Sequence, residues 1–446
     1  MIIASIAVSI FIFFSPSKNN PVFKNLYFLP LATGFLMLLP CSETTNLAKY
    51  ITYIVESGII IRNVVATLML VLSNYAATIS YLSKASMDAA IFLLILETFC
   101  ILVVLSRKTH TVSQLKEIYG LSTQELKISI GRFYWLILLT LSLICIICLF
   151  WDYNIVSYYT LSWRVSDKTA RIVKHADILF TVFSFCFEIV KMMIIVLGFK
   201  LLGQKRNSLF KVLMIILIIG LPAFFSIENY GYILINILVS TVFAMTVFPK
   251  QKVQVFGLSL VIGVSLFFIF FSVKLIGPTL GNSTSGRISV FLQAYFGGIT
   301  NVAGAMKLDN IDKLKSLFYD IYFMIPFRNT LFGITGDMRS TQFFNYVNRV
   351  NSQIIPCISQ GFLYIKFFSV FLTSALIGSA YSIIVKMGNK ICKGSDYIRL
   401  FISIYFALTP FMYNFTILGS WVLMVFLPAL LVFSLSGRFT GTNYYR

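Results

Sequence analysis

The chain has 446 residues, 58% of them hydrophobic and only 12% charged, against roughly a quarter charged in soluble domains. A soluble core could not hide this much apolar surface, and the apolar runs are continuous rather than alternating, which argues against a β-barrel. The 36 basic and 16 acidic residues give a formal net charge of +20. Basic cytoplasmic loops explain part of such an excess, and a basic excess outside the membrane points to an anionic substrate. Nucleic acid is not an expected partner.

In chain order, twelve apolar segments can be drawn: 1–14, 26–40, 59–82, 88–106, 133–150, 178–199, 207–225, 230–248, 253–276, 362–385, 397–412 and 418–436. Runs of about 17–25 apolar residues are the mark of helical spans. The expected fold is all-α, a single polytopic membrane domain over residues 1–446 with about twelve transmembrane helices. Met1 leads straight into IIASIAVSIFIFF with no basic stretch and no small-residue cleavage site, so this run reads as a first membrane helix. Residues 41–58 read as too polar to span and as a surface helix. Arg62 is expected to snorkel to the cytoplasmic edge. Glu97 lies alone in its apolar run. Glu188 and Lys191, at i and i+3, are placed to neutralise each other.

The basic loops set the orientation. Arg107, Lys108, Lys116, Lys127 and Arg132 mark one, Lys200, Lys205, Arg206, Lys250 and Lys252 the next two, and Lys386, Lys390, Lys393 and Arg399 another. All fall on the cytoplasmic side if both termini are inside. A first outer loop, 151–177, and a long outer loop, 277–361, then lie outside. The seven cysteines have no framework spacing, so neither a structural disulfide nor a metal site is expected. No ATP-binding loop, no HExxH and no internal repeat is present.

The first outer loop carries Arg164, Lys168, Arg171 and His175 at i, i+4, i+7, i+11, one stripe if helical. Arg164 and Arg171 would stand about 10 Å apart, enough to share the oxygens of a diphosphate. A solvated helix face gives the same spacing. Tyr159 and Trp163 lie beside the stripe, and such rings serve either as an interfacial belt or as a platform for sugar C–H faces.

In the long outer loop, Asn282, Ser283, Thr284 and Ser285 are helix-start residues. Ile288, Phe291, Leu292 and Tyr295 follow with helical periodicity, and Gly297 and Gly298 end the pattern. Arg287 therefore sits in a first helical turn, where free backbone N–H groups favour an anion. A short surface helix that happens to begin with arginine is the plainer reading. Further on, Thr341, Asn345, Asn348 and Ser352 form a polar stripe flanked by Arg339 and Arg349. Such a stripe suits a hydroxyl-rich ligand and equally a wet helix face. Pro356 and Gly361 lead the chain back into the membrane. Asp337 and Asp167 are the outer-loop carboxylates available as a base.

A many-helix chain with a Tyr- and Arg-rich outer loop and a long late outer loop resembles the Wzy-type oligosaccharide repeat-unit polymerases of O-antigen, capsule and exopolysaccharide. Those proteins often carry Arg-x10-Gly in outer loops. Arg287 and Gly298 match that spacing, whereas Arg349 and Gly361 miss it by one residue. The run FNYVNRVNSQIIPCISQGFLYIKFF also resembles the family's return into the membrane, with Tyr364-Ile365-Lys366 where relatives often have an aromatic-glycine pair.

The resemblance implies a GT-C-like membrane glycosyltransferase in a bacterial cytoplasmic membrane. Its substrate would be a polyprenyl-diphosphate-linked oligosaccharide, polymerised by transfer of the growing chain to the next lipid-linked unit. No cofactor is implied, and the resemblance leaves room for a chain-length regulator. Arg287 and Arg164 would be catalytic, with Asp337 as a base. Arg171, Lys168, Arg339, Arg349, Asn345, Asn348, Trp163 and Tyr159 would bind substrate. An O-antigen ligase is the first rival, but ligases of that kind rely on a histidine in the long outer loop, and residues 277–361 contain none. A flippase for the same lipid-linked sugar and a sugar acyltransferase are the others.

Overall fold

The computed structural model describes residues 1–15, 20–39, 46–79, 81–106, 128–131, 133–152, 155, 176–203, 208–225, 230–275, 283–308, 312–328, 337–350, 353–388 and 393–437. Regular structure among them is helical, and the one β-type pairing is an isolated bridge between Ser129 and Lys393. Among the described residues six stretches are long and apolar enough to cross a membrane: Leu47–Leu72, Lys84–Ser106, Phe133–Trp151, Ile178–Gly203, Cys357–Met387 and Phe415–Ser436. A seventh is gained if the pair Tyr232–Val247 and Pro249–Leu266, bent by 116°, counts as one span. The protein is thus an all-helical membrane protein.

Solvation by lipid explains the surface. Leu136, Leu139, Leu143, Ile146 and Phe150 are exposed along one stripe of the Phe133–Trp151 helix. A row of large apolar side chains at helical spacing belongs against hydrocarbon. The helix Gly394–Met412 is the opposite case. Tyr397, Ile398, Leu400, Phe401, Ile404, Tyr405 and Ala407 are all fully buried, so beyond the exposed Arg399 of its first turns it runs through the core. It packs against Ser369–Met387, Tyr230–Val247 and Asn46–Ile60.

Two sequence expectations are corrected here. The first of the six long stretches is Leu47–Leu72, so most of the stretch read as a surface helix is its first half. Leu47, Ala48, Ile51, Val55 and Ile59 form a buried stripe there. The polar residues between them lower the average hydropathy without breaking that stripe. Arg62 does not snorkel. It is fully buried and donates to Glu97 at 2.5 Å, which also supplies the partner that Glu97 lacks in sequence. Arginine and glutamate lie on different helices, 35 residues apart, so no local spacing announces the pair.

The residues around Arg62 explain how the charge is tolerated. Ile61–Val65 is a π-helical turn inside the span, a local widening that often marks a functional site. It turns both Arg62 and Asn63 into the core. Asn63 donates to Thr98 at 3.0 Å and to Thr33 at 3.3 Å, and the Phe411 ring lies 4.8 Å from the guanidinium carbon. Among the described residues, Nη1 of Arg62 has no hydrogen-bond partner, and the Thr373 hydroxyl approaches the Glu97 carboxylate.

The long loop folds onto one end of the bundle. Ser289 donates to the Ala76 carbonyl at 2.7 Å, Thr78 to Asn301 at 3.3 Å and Asn414 to Thr341 at 3.0 Å. The opposite end carries the Ser129–Lys393 bridge together with Lys200, Lys386 and Arg399.

Candidate functional site

The loop-bearing end is built from short helices, each fixed by local chemistry. Thr284–Tyr295 starts where the Ser283 hydroxyl accepts from Gly286 N–H, as the run of helix-start residues implies. It ends at Gly297, whose φ of +53° is the left-handed conformation glycine adopts at least cost. Gly298 N–H then bonds back to the Gln293 carbonyl at 3.0 Å, closing a Schellman-type turn. A Cβ on Gly297 would press on Pro356 at 3.0 Å and on the Phe411 carbonyl at 3.3 Å. A Cβ on Gly298 would stand 2.3 Å from the Gln293 side-chain oxygen. Both glycines of the motif are therefore demanded by the fold.

The face this helix buries overlaps only in part with the apolar periodicity. Ser289 and Gln293 are fully buried beside Val290 and Leu292, whereas Ile288, Phe291 and Tyr295 stay half-exposed. Gln293 donates to the Ala66 carbonyl at 3.0 Å and accepts from the backbone and hydroxyl of Thr300. In a lipid-bathed protein the polar face can turn inward and the apolar face outward. Arg287 stands in the first turn, half-exposed.

A buried polar knot ties the loop to the spans. Asp320, at the end of helix Lys313–Tyr322, accepts from Gln360 at 2.7 Å, from Tyr364 at 2.5 Å and from Ser340 N–H at 3.2 Å. Gln360 also donates to Thr416 and Ser340 and accepts from Phe415 N–H at 2.7 Å. Gly361 sits one residue on, where a Cβ would meet Ser369 at 2.8 Å, so that glycine marks a close helix approach. Lys366 adopts φ +55° and ψ −136° at the break between Cys357–Ile365 and Ser369–Met387. A lysine pays a strain of order 1 kcal/mol or more there that a glycine would not.

Above this knot two arginines meet on one ring. The Arg328 guanidinium carbon lies 4.0 Å from the Phe323 ring centre and that of Arg339 lies 3.8 Å from it. The two charges are therefore held closer together than the sum of those distances. A cation–π contact contributes about 0.5–1 kcal/mol when exposed and about 2 kcal/mol or more when desolvated, so the ring offsets part of their mutual repulsion. Asp337 supplies the rest. Its carboxylate accepts from Arg339 through Nη2, from Nε at 2.8 Å, from the Arg339 N–H at 3.1 Å and from Gln342 at 3.0 Å. Burial pushes the Asp337 carboxyl up, but these donors outweigh it and hold the group below its ordinary value. Such a carboxylate is a poor proton acceptor and a good anchor for Arg339.

The remaining site residues of the sequence reading divide three ways. Asn345 exchanges hydrogen bonds with the Gln353 backbone, and Asn348 donates to the Gly304 and Phe344 carbonyls, so both amides brace the fold. Arg349 ends helix Ser340–Asn348 with φ +52°. Arg164, Lys168, Arg171, Tyr159 and Trp163, with His175 and Asp167, lie outside the described residues. Arg328 was not singled out in the sequence, and its one signal is the preceding aromatic run YFMIPF.

The class that fold and geometry define is an all-helical membrane protein with a folded cap of short helices carrying paired arginines. No protein-family model, no curated protein and no solved structure matches the chain.

Proposed function

We propose that the protein is a membrane glycosyltransferase of the repeat-unit polymerase type. It joins polyprenyl-diphosphate-linked oligosaccharides on the outer face of a bacterial cytoplasmic membrane. In this reading the chain crosses the bilayer twelve times with both termini inside. The short helices Ile2–Phe14, Phe28–Leu36 and Phe210–Gly220, both arms of the bent pair and Gly394–Met412 add to the six long spans.

The observation that carries the reading is the Arg328–Phe323–Arg339 arrangement, two guanidiniums held against one ring at the loop-bearing end. Paired guanidiniums match the oxygens of a diphosphate, and each charge-assisted hydrogen bond contributes roughly 1.5–3 kcal/mol. Arg287, in a first helical turn, adds a third cation at the positive end of that helix. The sequence reading adds Arg164, Lys168 and Arg171 of the first loop to the candidates, all outside the described residues. The acceptor hydroxyl oxygen attacks the anomeric carbon of the growing chain. The bond from that carbon to the diphosphate oxygen breaks, the acceptor hydroxyl passes its proton to the departing diphosphate, and the guanidiniums stabilise the negative charge that grows on that leaving group. The energy resides in the donor, so no nucleotide is consumed.

The test is polymer length in a strain lacking its own copy. Arg287→Ala, at normal protein level, leaves single repeat units on the surface. Polymer of normal length from that strain removes Arg287 from the mechanism.

A further inference from the structure

At the end of the bundle opposite the cap, three spans leave an amphipathic recess of about 730 Å³. Its floor is the start of helix Phe133–Trp151, its wall the start of Gly394–Met412, and its rim the last turns of Leu427–Gly437. Two cations, Lys393 and Arg399, and the hydroxyls of Ser395 and Ser434 line its polar half. Leu427, Leu430, Leu431 and Phe433 line the other half, and Leu427 and Leu431, one turn apart, stay exposed. Gly394 permits this shape, because any Cβ there would press on Phe433 at 3.2 Å. The helix whose first turn borders the polar half adds the positive end of its dipole.

We infer that this recess binds the headgroup of an anionic glycerophospholipid, with one acyl chain lying along Leu427 and Leu431. Four observations select that occupant. The cavity lies at the ends of three spans, at the depth where headgroups sit. Its end of the molecule is the lysine- and arginine-rich one, which the positive-inside rule assigns to the cytoplasmic leaflet, and basic recesses between helices at that leaflet suit acidic headgroups. The leucine stripe continues the polar half toward hydrocarbon, a feature a free phosphate would not need. Asp396 cancels part of the charge: it caps the helix through Lys393 N–H and faces Arg399 at 3.4 Å. A singly charged headgroup therefore fits better than a strongly charged one. The recess is remote from the arginine cap, so the inference does not rest on the proposed transferase activity.

The experiment uses the full-length protein purified in a neutral detergent and a photoactivatable phosphatidylglycerol. Labelling is expected in the peptide spanning residues 427–436. Unlabelled phosphatidylglycerol should compete about tenfold better than phosphatidylcholine, the preference expected for one net cation near a headgroup. Inorganic phosphate and glycerol phosphate should compete poorly. Lys393→Ala with Arg399→Ala should erase the preference, and Leu430→Trp should lower total labelling. Equal competition by phosphatidylcholine overturns the inference, as does efficient competition by glycerol phosphate or a preference unchanged in the double variant. If the variants do not fold, the wild-type competition series decides alone.

Discussion

Among the described residues two buried ion pairs lie within the spans, and they are held in different ways. Glu188 and Lys191 are neighbours on one helix, 2.6 Å apart, with the Tyr232 hydroxyl donating to the same carboxylate at 2.5 Å. The lysine also lies over the Tyr232 and Phe187 rings, at 5.0 and 6.0 Å. Arg62 and Glu97 come from different helices and meet under Phe411. The first pair is a local neutralisation that a single helix provides. The second is a joint between helices, and its roof is also the seat of the cap, because the Phe411 carbonyl faces Gly297. A lone lysine in hydrocarbon can release its proton, whereas an arginine cannot. The two pairs should therefore respond very differently to loss of the acid.

The largest effect is expected at the joint. Glu97→Gln leaves a permanently charged guanidinium buried without a counter-charge and should cost about 3–5 kcal/mol. Thermal unfolding in detergent checks this. The double variant Arg62→Met with Glu97→Met should recover most of the loss, since a buried pair replaced by apolar groups is often near neutral. No recovery would mean that the pair does more than hold helices together.

Glu188→Gln should cost less, about 1–2 kcal/mol, because the amide still accepts from Tyr232 and the lysine can become neutral. Equal losses at Glu97 and Glu188 would erase the contrast drawn between the pairs.

Next comes the seat of the cap. Gly298→Ala forces the Gln293 side chain off Ala66 and Thr300 and should cost about 1–3 kcal/mol. Limited proteolysis within 283–308 should report it before global unfolding does.

The smallest effect is a pH dependence at Asp337. Its folded pKa is depressed, so its stabilising contribution is present above the ordinary carboxylate range and is lost as pH falls through the folded value. Both partners are about one quarter exposed, and water screens the pair. Protease resistance of residues 337–350 should fall on acidification in the wild type and stay flat in Asp337→Asn.

Sequence and structure agree where the signal is local. Ser283, Gly297 and Gly298 bound the Arg287 helix in both, because caps and left-handed turns depend on neighbours along the chain. The i, i+3 pair of Glu188 and Lys191 was legible for the same reason. What sequence could not carry was direction and distance. Periodicity marked four apolar residues of the Arg287 helix, but of the four only Leu292 turned inward, with Ser289 and Gln293 beside it. Arg62 found Glu97 across 35 residues, and Arg328 found Arg339 through the ring of Phe323. Span 47–72 was missed in its first half because a single buried stripe was averaged with the polar residues beside it.

The central claim is that the Arg328–Arg339 pair holds a lipid diphosphate during glycosyl transfer. It is tested most directly with purified full-length protein and a chemically defined polyprenyl-diphosphate oligosaccharide, read as product length. The wild type should build a ladder of repeat units, and a variant with Arg328→Ala and Arg339→Ala that unfolds at the wild-type temperature should stop at the starting unit. The same ladder from that folded variant would contradict the account.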